Sequence, residues 1–505
     1  MNESRRKFLR TSACGLTGAA MLAGLDQLNL VNAMVQQQAD VAADYKALVC
    51  IFLFGGSDCN NMVIPYDDYN AAGGYGAVRT ASGLAIPQSA LTNTKITPSN
   101  TSGVSYALHP NLSPEASNAG VGKGFLDVWN AGKLAVLCNV GPLIQPITRA
   151  QYNSGVGHPY QLFSHSDQVT QQQTAVANTT GQAGWGGRIS DYTGALNGAV
   201  ILPMSISLAG TSLFATGLTS RQLSIGTGAL SSVLNLAWSG PSSANPFTAG
   251  STYRQLLGMD LGSFLVKTAS DTTNQALNAD AVLNQPDPII PTPPNTTAFP
   301  STSLGNQLKQ VAKLIKIKDT LGMKRQIFFC SLGGFDTHTN ETGSNPTNPA
   351  GGGTNSGTQG GLMTQLSQAM RAFYDEMEAQ GRGNDVVQFT LSDFGRTLQA
   401  SGSGAQVVGS DHAWGSHALI MGGAVVGGRF YGQLRPDGSG LPYGYPTLAL
   451  GGPDDTDNRG RWIPTTAVDQ FAATLADWYG LAAADVPKVF PNLSKFPSVN
   501  LGFLG

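Results

Sequence analysis

Charge is scarce in this sequence of 505 residues. Only 12% of the residues are Asp, Glu, Lys or Arg, and the formal net charge is −2. Nucleic-acid binding needs clustered Lys and Arg to neutralise phosphates, so this composition argues against a nucleic-acid partner. The 63 glycines and a hydrophobic content of 41% predict one large domain, or two closely packed ones, with a neutral surface rich in small residues.

Long apolar runs are also missing. None reaches the roughly 18 to 20 residues that span a bilayer, so we predict no transmembrane segment in the mature chain. Residues 1–33 predict a targeting segment instead, because S-R-R-K-F-L at 4–9 is a twin-arginine pattern and V-N-A at 31–33 suits cleavage. The alternative is an ordinary basic start of a helix. Export by the twin-arginine route predicts a periplasmic or secreted protein.

Cysteine is sparse and widely spaced after the targeting segment. Three of the four remaining cysteines lie in or beside apolar runs that read as strands; the four are Cys50, Cys59, Cys138 and Cys330. This placement favours buried free thiols, and the alternative is a disulfide framework.

Four apolar runs have the pattern of buried parallel strands, and two longer segments have apolar side chains at helical spacing. The strands are predicted at 47–54, 134–140, 326–332 and 386–391, and the helices at 362–380 and 467–479. Strand, helix and strand in this order predict a right-handed crossover and a parallel sheet. We therefore predict an α/β fold of several layers, as a single domain over residues 34–505 with a possible insertion or cap at about 205–300.

Three of the predicted strands are followed closely by an aspartate: Asp58, Asp336 and Asp393. The carboxyl ends of parallel strands meet at one edge of a sheet, so we expect the three acids to converge. Carboxylates held together repel one another unless a cation or protons neutralise them, and a divalent metal is the simplest neutraliser. The alternatives are a helix cap for Asp58 and an ion pair with Arg396 for Asp393.

Only six histidines are present, and three of them lie beside acids. His338 follows Asp336 by two residues, and His412 follows Asp411 directly, with His417 five residues later. Imidazole with carboxylate suits zinc, manganese or iron better than calcium. The spacing is not a self-contained metal motif, so the fold must bring these groups together, and the alternative for His338 is a surface position in a turn.

Two further histidines are candidates. His109 precedes a proline, which favours a structural turn, and His165 lies between Ser164 and Ser166. Adjacent residues rarely face each other productively, so Ser164 and His165 do not form a triad by themselves. Ser164 would serve as a metal-activated nucleophile if it opens a helix that faces the acids.

Six ordered motifs carry a resemblance to a known family. They are LFGGSDCNNMVIPYDD, QLFSHSDQ, GWGGRISD, LGGFDTHTNE, TLSDFGRT and GSDHAWGSHALIMGGAVVGG. In this order behind a twin-arginine segment, they resemble the DUF1501 family of exported bacterial proteins. That family looks like a branch of the alkaline phosphatase and sulfatase superfamily. The resemblance implies a three-layer α/β/α sandwich with one or two divalent metal ions, zinc or manganese, at the carboxyl edge of the sheet.

The resemblance also implies roles for single residues. Ser164 would be the nucleophile and Arg396 would stabilise developing charge, while the implied metal ligands are Asp58, Asp336, His338, Asp393, Asp411, His412 and His417. Two positions depart from the superfamily pattern. The middle pair is D-x-H rather than D-x-x-x-H, and Phe394 stands where a histidine follows the aspartate of the later strand. Two arrangements follow from this departure: one metal with a rearranged set of ligands, or two metals with His412 and His417 in place of the missing imidazole.

Two functions follow from this resemblance. The first is hydrolysis of a phosphate or sulfate ester of a small molecule or glycan. The second is a non-catalytic exported protein with the same fold, which would serve cell-surface assembly or glycan binding. The retained Asp and His clusters favour the first, and the histidine replaced by Phe394 favours the second.

Overall fold

A computed structural model of the protein describes residues 42–114, 123–178, 181–200, 202–228, 298–342, 359–401 and 408–505, with single positions at 258, 267, 270 and 283. The predicted targeting segment 1–33 and most of the predicted insertion at 205–300 lie outside the described residues. The chain divides into two compact units. One comprises 1–43, 194–202 and 228–287, and the other comprises 44–193, 203–227 and 288–505. The second unit contains all the strands and helices below.

The described strands are β1 (Lys46–Phe54), β2 (Val63–Pro65), β3 (Lys95–Ile96), β4 (Tyr106–Leu108), β5 (Leu134–Gly141), β6 (Ser205–Ser207), β7 (Leu223–Ser224), β8 (Arg325–Gly333), β9 (Val386–Ser392), β10 (Arg396–Ala400), β11 (Ser410–His412), β12 (Ser416–Met421), β13 (Phe430–Tyr431) and β14 (Thr466–Ala467). The described α-helices are α1 (Cys59–Met62), α2 (Tyr75–Arg79), α3 (Gln88–Leu91), α4 (Leu126–Asn130), α5 (Arg149–Asn153), α6 (His165–Thr174), α7 (Trp185–Thr193), α8 (Ser303–Lys316), α9 (Gln359–Ala379), α10 (Val468–Tyr479) and α11 (Val486–Val489).

A central sheet has the strand order β13-β5-β12-β9-β1-β8-β6-β7, with β14 also beside β5. β1 pairs in parallel with β8 and β9, and β8, β6 and β7 continue the parallel pairing. β12 runs antiparallel to both of its neighbours, β5 and β9. The four strands predicted from the apolar runs all lie in this sheet, and the α/β class is confirmed.

Helices cover both faces of the sheet. Alternate side chains of β1, such as Cys50 and Phe52, share one hydrophobic core with Trp185 of α7 and Phe471 of α10. Gln388 of β9 points to the other face, where its amide donates a hydrogen bond to a carbonyl of α9 at 2.9 Å. α8 packs against α9. Side chains of a strand alternate between faces, so buried strands of this kind need a helical layer on each side. The predicted three layers are present.

Five elements bring the candidate site together at the carboxyl edge of this sheet. Asp336 follows β8 and Asp393 follows β9. β10 and β11 form an antiparallel pair in which Arg396 lies opposite His412. Helix α6 begins at His165. The site is therefore assembled from segments far apart in the chain.

Two further predictions can be compared with the fold. Within the described ranges, no helix has both the length and the apolarity needed to cross a membrane. Cys50, Cys59, Cys138 and Cys330 are buried and carry free thiols. The prediction of buried free thiols is confirmed.

Candidate functional site

Three imidazoles converge on the carboxylate of Asp336. Its Oδ1 lies 3.0 Å from His338 Nε2 and 3.3 Å from His412 Nε2, and its Oδ2 lies 3.5 Å from His165 Nε2. The Nε2 atoms of His338 and His412 are 2.9 Å apart. The structure therefore joins Asp336, His338 and His412, which the sequence predicts, with His165.

The other ring nitrogen of each histidine faces an acceptor. His165 Nδ1 lies 2.7 Å from Asp393 Oδ2, His338 Nδ1 lies 3.2 Å from Asp411 Oδ1, and His412 Nδ1 lies 2.9 Å from the carbonyl oxygen of Phe163; these six residues form three pairs. Carboxylates and carbonyls only accept, so we assign the ring proton to Nδ1 in all three histidines. Each Nε2 then carries a lone pair directed into the cluster.

These donors fit a divalent metal. The Nε2 lone pairs of His338 and His412 repel at 2.9 Å unless a proton or a cation lies between them. His165 Nε2 is buried without a hydrogen-bond partner among the described residues. One ligand atom from each of His165, Asp336 and His412 lies within 4.8 Å of the other two. Imidazole nitrogens that donate their second N–H to an acceptor are the usual pattern for bound zinc and related ions.

Arginines keep two acids of the site ionised. Burial alone would raise the pKa of Asp336, but the charge of Arg396, whose Nη1 lies 3.1 Å from Oδ1, and the nearby histidines lower it below its usual value. Burial likewise opposes ionisation of Asp411, and the hydrogen bond from Arg459 at 2.6 Å outweighs it, so the pKa of Asp411 is lowered. Both carboxylates are available as anions.

Burial also lowers the pKa of His412, although the Phe163 carbonyl opposes this shift. A lowered pKa keeps the imidazole neutral, which is the form that binds a metal. Burial raises the pKa of Asp393, against the hydrogen bonds from His165 and the backbone of Gly55. Its two oxygens are engaged by these partners, at 2.7 Å and 3.1 Å.

The end of β1 fixes the position of both acids. Gly55 has a φ of +114°, and a Cβ there would lie 2.3 Å from the backbone nitrogen of Asp336. Its own N–H donates to Asp393, and the Phe335 N–H donates to the carbonyl of Phe54 at 3.1 Å. Only glycine combines this backbone angle with so close an approach. The backbone at the end of β1 therefore helps to position Asp336 and Asp393.

Phe394 is fully buried beside the histidines. The centre of its ring lies 4.8 Å from that of His165 and 4.7 Å from that of His412. A Cβ on Gly56 would approach the Phe394 ring to 2.5 Å, so the ring fills the space behind the loop. Phe394 supplies packing at the position where the superfamily pattern considered above has a histidine.

Arg396 has a buried guanidinium directed at the site. Its side chain is 0% exposed, and its Nη1 donates to Asp336. Its Nε and Nη2 atoms have no hydrogen-bond partner among the described residues. The ion pair of Arg396 is thus with Asp336, while Asp393 pairs with His165.

Asp58 lies outside this cluster. Its carboxylate is paired with Arg79, through contacts of 2.5 Å and 3.1 Å, and both side chains are fully buried. It also accepts the N–H of Asn60 as the N-cap of α1. Burial opposes ionisation of Asp58, but Arg79 outweighs it and lowers the pKa. The structure thus gives Asp58 the capping position that the sequence left as an alternative.

The side chains of His417 and Ser164 are hydrogen-bonded to residues outside the cluster. His417 is buried on β12, and its Nδ1 accepts the N–H of Asn139 at 3.1 Å. Burial lowers the pKa of His417 to about 3. Ser164 precedes α6, as expected of a residue that opens a helix, and its hydroxyl donates to Asp167 at 2.6 Å.

His165 is the site residue that sequence reasoning undervalued. Its place between two serines gave no reason to prefer it, and the acids it contacts lie well over a hundred positions along the chain. The signal that was available is its position at a helix start, where its side chain can reach the edge of a sheet.

The site can be set beside known proteins. No curated protein matches the sequence of the chain. One solved structure, described as "Crystal structure of Ps i-CgsB in complex with k-i-k-neocarrahexaose", is similar at 8% identity with a TM-score of 0.30, over 89% of this chain and 77% of that chain. A family model described as "Protein of unknown function (DUF1501)" matches residues 45–441. That match spans most of the chain, and the protein belongs to the DUF1501 family.

Proposed function

We propose that this protein is an exported metal-dependent hydrolase that acts on phosphate or sulfate esters. The observation that carries the proposal is the convergence of three Nε2 atoms on Asp336, each from a histidine whose Nδ1 is held by an acceptor. His165, Asp336, His338 and His412 would hold the ion, and zinc or manganese suits this donor set. A divalent ion there supplies Lewis-acid polarisation of the ester and acidifies a hydroxyl or water.

Arg396 would stabilise negative charge that develops on the transferred group. Its guanidinium is buried next to Asp336, and a fixed cation stabilises an oxyanion that develops beside it. Through the same contact Arg396 holds the Asp336 carboxylate in place. It therefore has both a charge-stabilising and an orienting role.

Hydrolysis forms a bond from water oxygen to phosphorus or sulfur and breaks the bond to the ester oxygen. The departing alcohol takes one proton of the water. When Ser164 attacks first, its oxygen takes the phosphoryl or sulfuryl group and its proton passes to the alcohol; water then releases the group and restores the serine hydroxyl. Ser164 is proposed for this role because it opens α6 directly before His165.

Metal content and ester hydrolysis of the purified protein test the proposal. We expect bound zinc or manganese and hydrolysis of an aryl phosphate or aryl sulfate, with both lost in Asp336→Ala and His412→Ala. His158→Ala is the matched control, because His158 stacks on Tyr152 and is not one of the clustered histidines. A protein without bound metal, whose background activity is the same in all variants, would contradict the hydrolase.

One observation favours the second function. Phe394 packs beside the histidines and contributes no ligand, which favours a non-catalytic protein of cell-surface assembly or glycan binding in which the ion has a structural role. That function predicts bound metal whose removal lowers the melting temperature, with no ester hydrolysis under any condition.

Export is proposed from the twin-arginine pattern alone. Replacing both Arg5 and Arg6 with lysine should leave the protein in the cytoplasmic fraction, whereas the unchanged chain should reach the periplasm or the medium. Equal fractionation of both chains would contradict export by this route.

A further inference from the structure

A cavity of about 390 Å³ opens beside the candidate metal site. Its lining residues are Phe54, Gly55, His165, Ser166, Val169, Asp336 and Asp393. The lining therefore combines two chemistries, the imidazole and carboxylates of the site and the apolar side chains of Phe54 and Val169.

The apolar part of the lining is built into the fold. Phe54 is the last residue of β1, and its ring centre lies 4.5 Å from that of Phe52, so its orientation is set by the core. Val169 lies four residues after His165 in α6, which places both on the same face of the helix. Phe54 and Val169 are both partly buried and pack against the main hydrophobic core. They therefore border the cavity at fixed positions.

Two polar groups of the lining already have partners, while His165 Nε2, which has none among the described residues, and Asp336 are the groups proposed to hold the ion. The Gly55 N–H donates to Asp393, and the hydroxyl of Ser166 is bonded to Asp167. Hydroxyl groups of a sugar would lose water against Phe54 and Val169 without gaining hydrogen bonds there, which is unfavourable. An apolar group would instead gain about 25 cal/mol for each Å² of apolar surface removed from water.

We propose that the substrates of this site carry an aryl or alkyl body, which Phe54 and Val169 bind, joined to the ester group that the metal site binds. The proposal rests on the proposed function, because it places the reacting group at His165 and Asp336. The expected substrates are esters of phenols or apolar alcohols, and sugar esters are disfavoured. Phe54 and Val169 are specificity-determining residues in this scheme.

Binding of unreactive ligands separates this proposal from catalysis. Isothermal titration of the zinc-loaded protein would compare phenylphosphonate, methylphosphonate and the non-hydrolysable phosphonate analogue of glucose 6-phosphate. We expect phenylphosphonate to bind about tenfold more tightly than methylphosphonate, because the phenyl ring buries far more apolar surface than the methyl group. Phe54→Ala and the isosteric Val169→Thr should weaken phenylphosphonate about fivefold and leave methylphosphonate unchanged. Val426→Ala, a change at an exposed apolar residue that does not line the cavity, is the control.

Two results would overturn the substrate class. Equal affinity for the phenyl and methyl compounds is one, and binding of the glucose phosphonate as tight as that of phenylphosphonate is the other. Failure of all three ligands to bind the zinc-loaded protein would contradict the proposed function together with the substrate class. A loss of affinity for both phosphonates in Val169→Thr would show that Val169 supports the metal site rather than selecting the organic group.

Discussion

His165 Nδ1 lies 2.7 Å from Asp393 Oδ2, and this contact joins the start of a helix to the end of a central strand. The Asp393 side chain is only 3% exposed, and its second oxygen accepts the N–H of Gly55. A carboxylate held at both oxygens fixes the orientation and tautomer of the imidazole that it contacts. Asp393 is thus placed to act on the metal site through His165.

Asp393→Asn should weaken metal binding without removing a proposed ligand. Loss of a carboxylate partner typically lowers metal affinity about 10- to 100-fold, because the imidazole loses its fixed orientation and some basicity. Competition with a chromophoric chelator measures the affinity, and the spectrum of the cobalt-substituted protein reports the ligand geometry. Asp485→Asn is the control, since Asp485 pairs with Lys488. An unchanged affinity and spectrum in Asp393→Asn would rule out the positioning role.

Gly55→Ala should disturb the site more than an alanine at another glycine of positive φ. The added Cβ would lie 2.3 Å from Asp336 N, so backbone must move. Gly103 has a φ of +88° with nothing within 4 Å of its Cβ, so Gly103→Ala introduces only the backbone strain, about 1 to 3 kcal/mol. Urea unfolding and metal content of both variants make the comparison. We expect loss of metal only in Gly55→Ala. Equal metal content and equal stability of the two variants would argue against the close approach of residue 55 to the Asp336 backbone.

Asp58→Asn should reduce stability while leaving the number of bound metal ions unchanged. Removing one charge of a fully buried pair typically costs about 3 to 5 kcal/mol, and the buried Glu341, whose charge also acts on Arg79, offsets part of this loss. Urea unfolding measures the loss, and elemental analysis of the folded variant at low temperature measures the metal. Loss of one ion per chain would restore Asp58 as a metal ligand. Arg79→Met tests the same pair from its other side and should be similarly destabilised.

Because His417 is buried, the free energy of unfolding of the metal-free protein should fall in acid. Burial lowers its pKa from 6.5 to about 3 in the folded chain, so the unfolded chain binds more protons between these values. Stability therefore falls as the pH drops below 6.5. Between pH 6.5 and about pH 4.5 the loss from this residue is of the order of 2 kcal/mol.

The matched variant is His417→Asn, whose side-chain oxygen can accept the Asn139 N–H in place of Nδ1. Urea unfolding of the metal-free proteins at both pH values gives the two free energies of unfolding. The variant should lose less stability than the unchanged chain over this interval. An equal loss in the two proteins would show that His417 is not responsible.

Short-range patterns of apolar residues were sufficient to predict the strands and helices around the site. The apolar runs that predict β1, β8 and β9 are buried strands, because a strand covered on both faces needs apolar side chains on both. The 3.6-residue spacing likewise predicted α9 and α10, which the structure places at 359–379 and 468–479. From these elements alone, Asp336 and Asp393 could be expected at the same edge of the sheet.

The sequence by itself determined the α/β class, the strands and the aspartates at their ends, because these depend on periodicities of two and 3.6 residues within short segments. Only the tertiary structure decided which groups meet. Arg79 binds Asp58 in a buried pair, and His165 reaches Asp393 across 228 positions of the chain. Each acid takes the partner that packing places beside it, and packing between distant segments leaves no local periodicity to read.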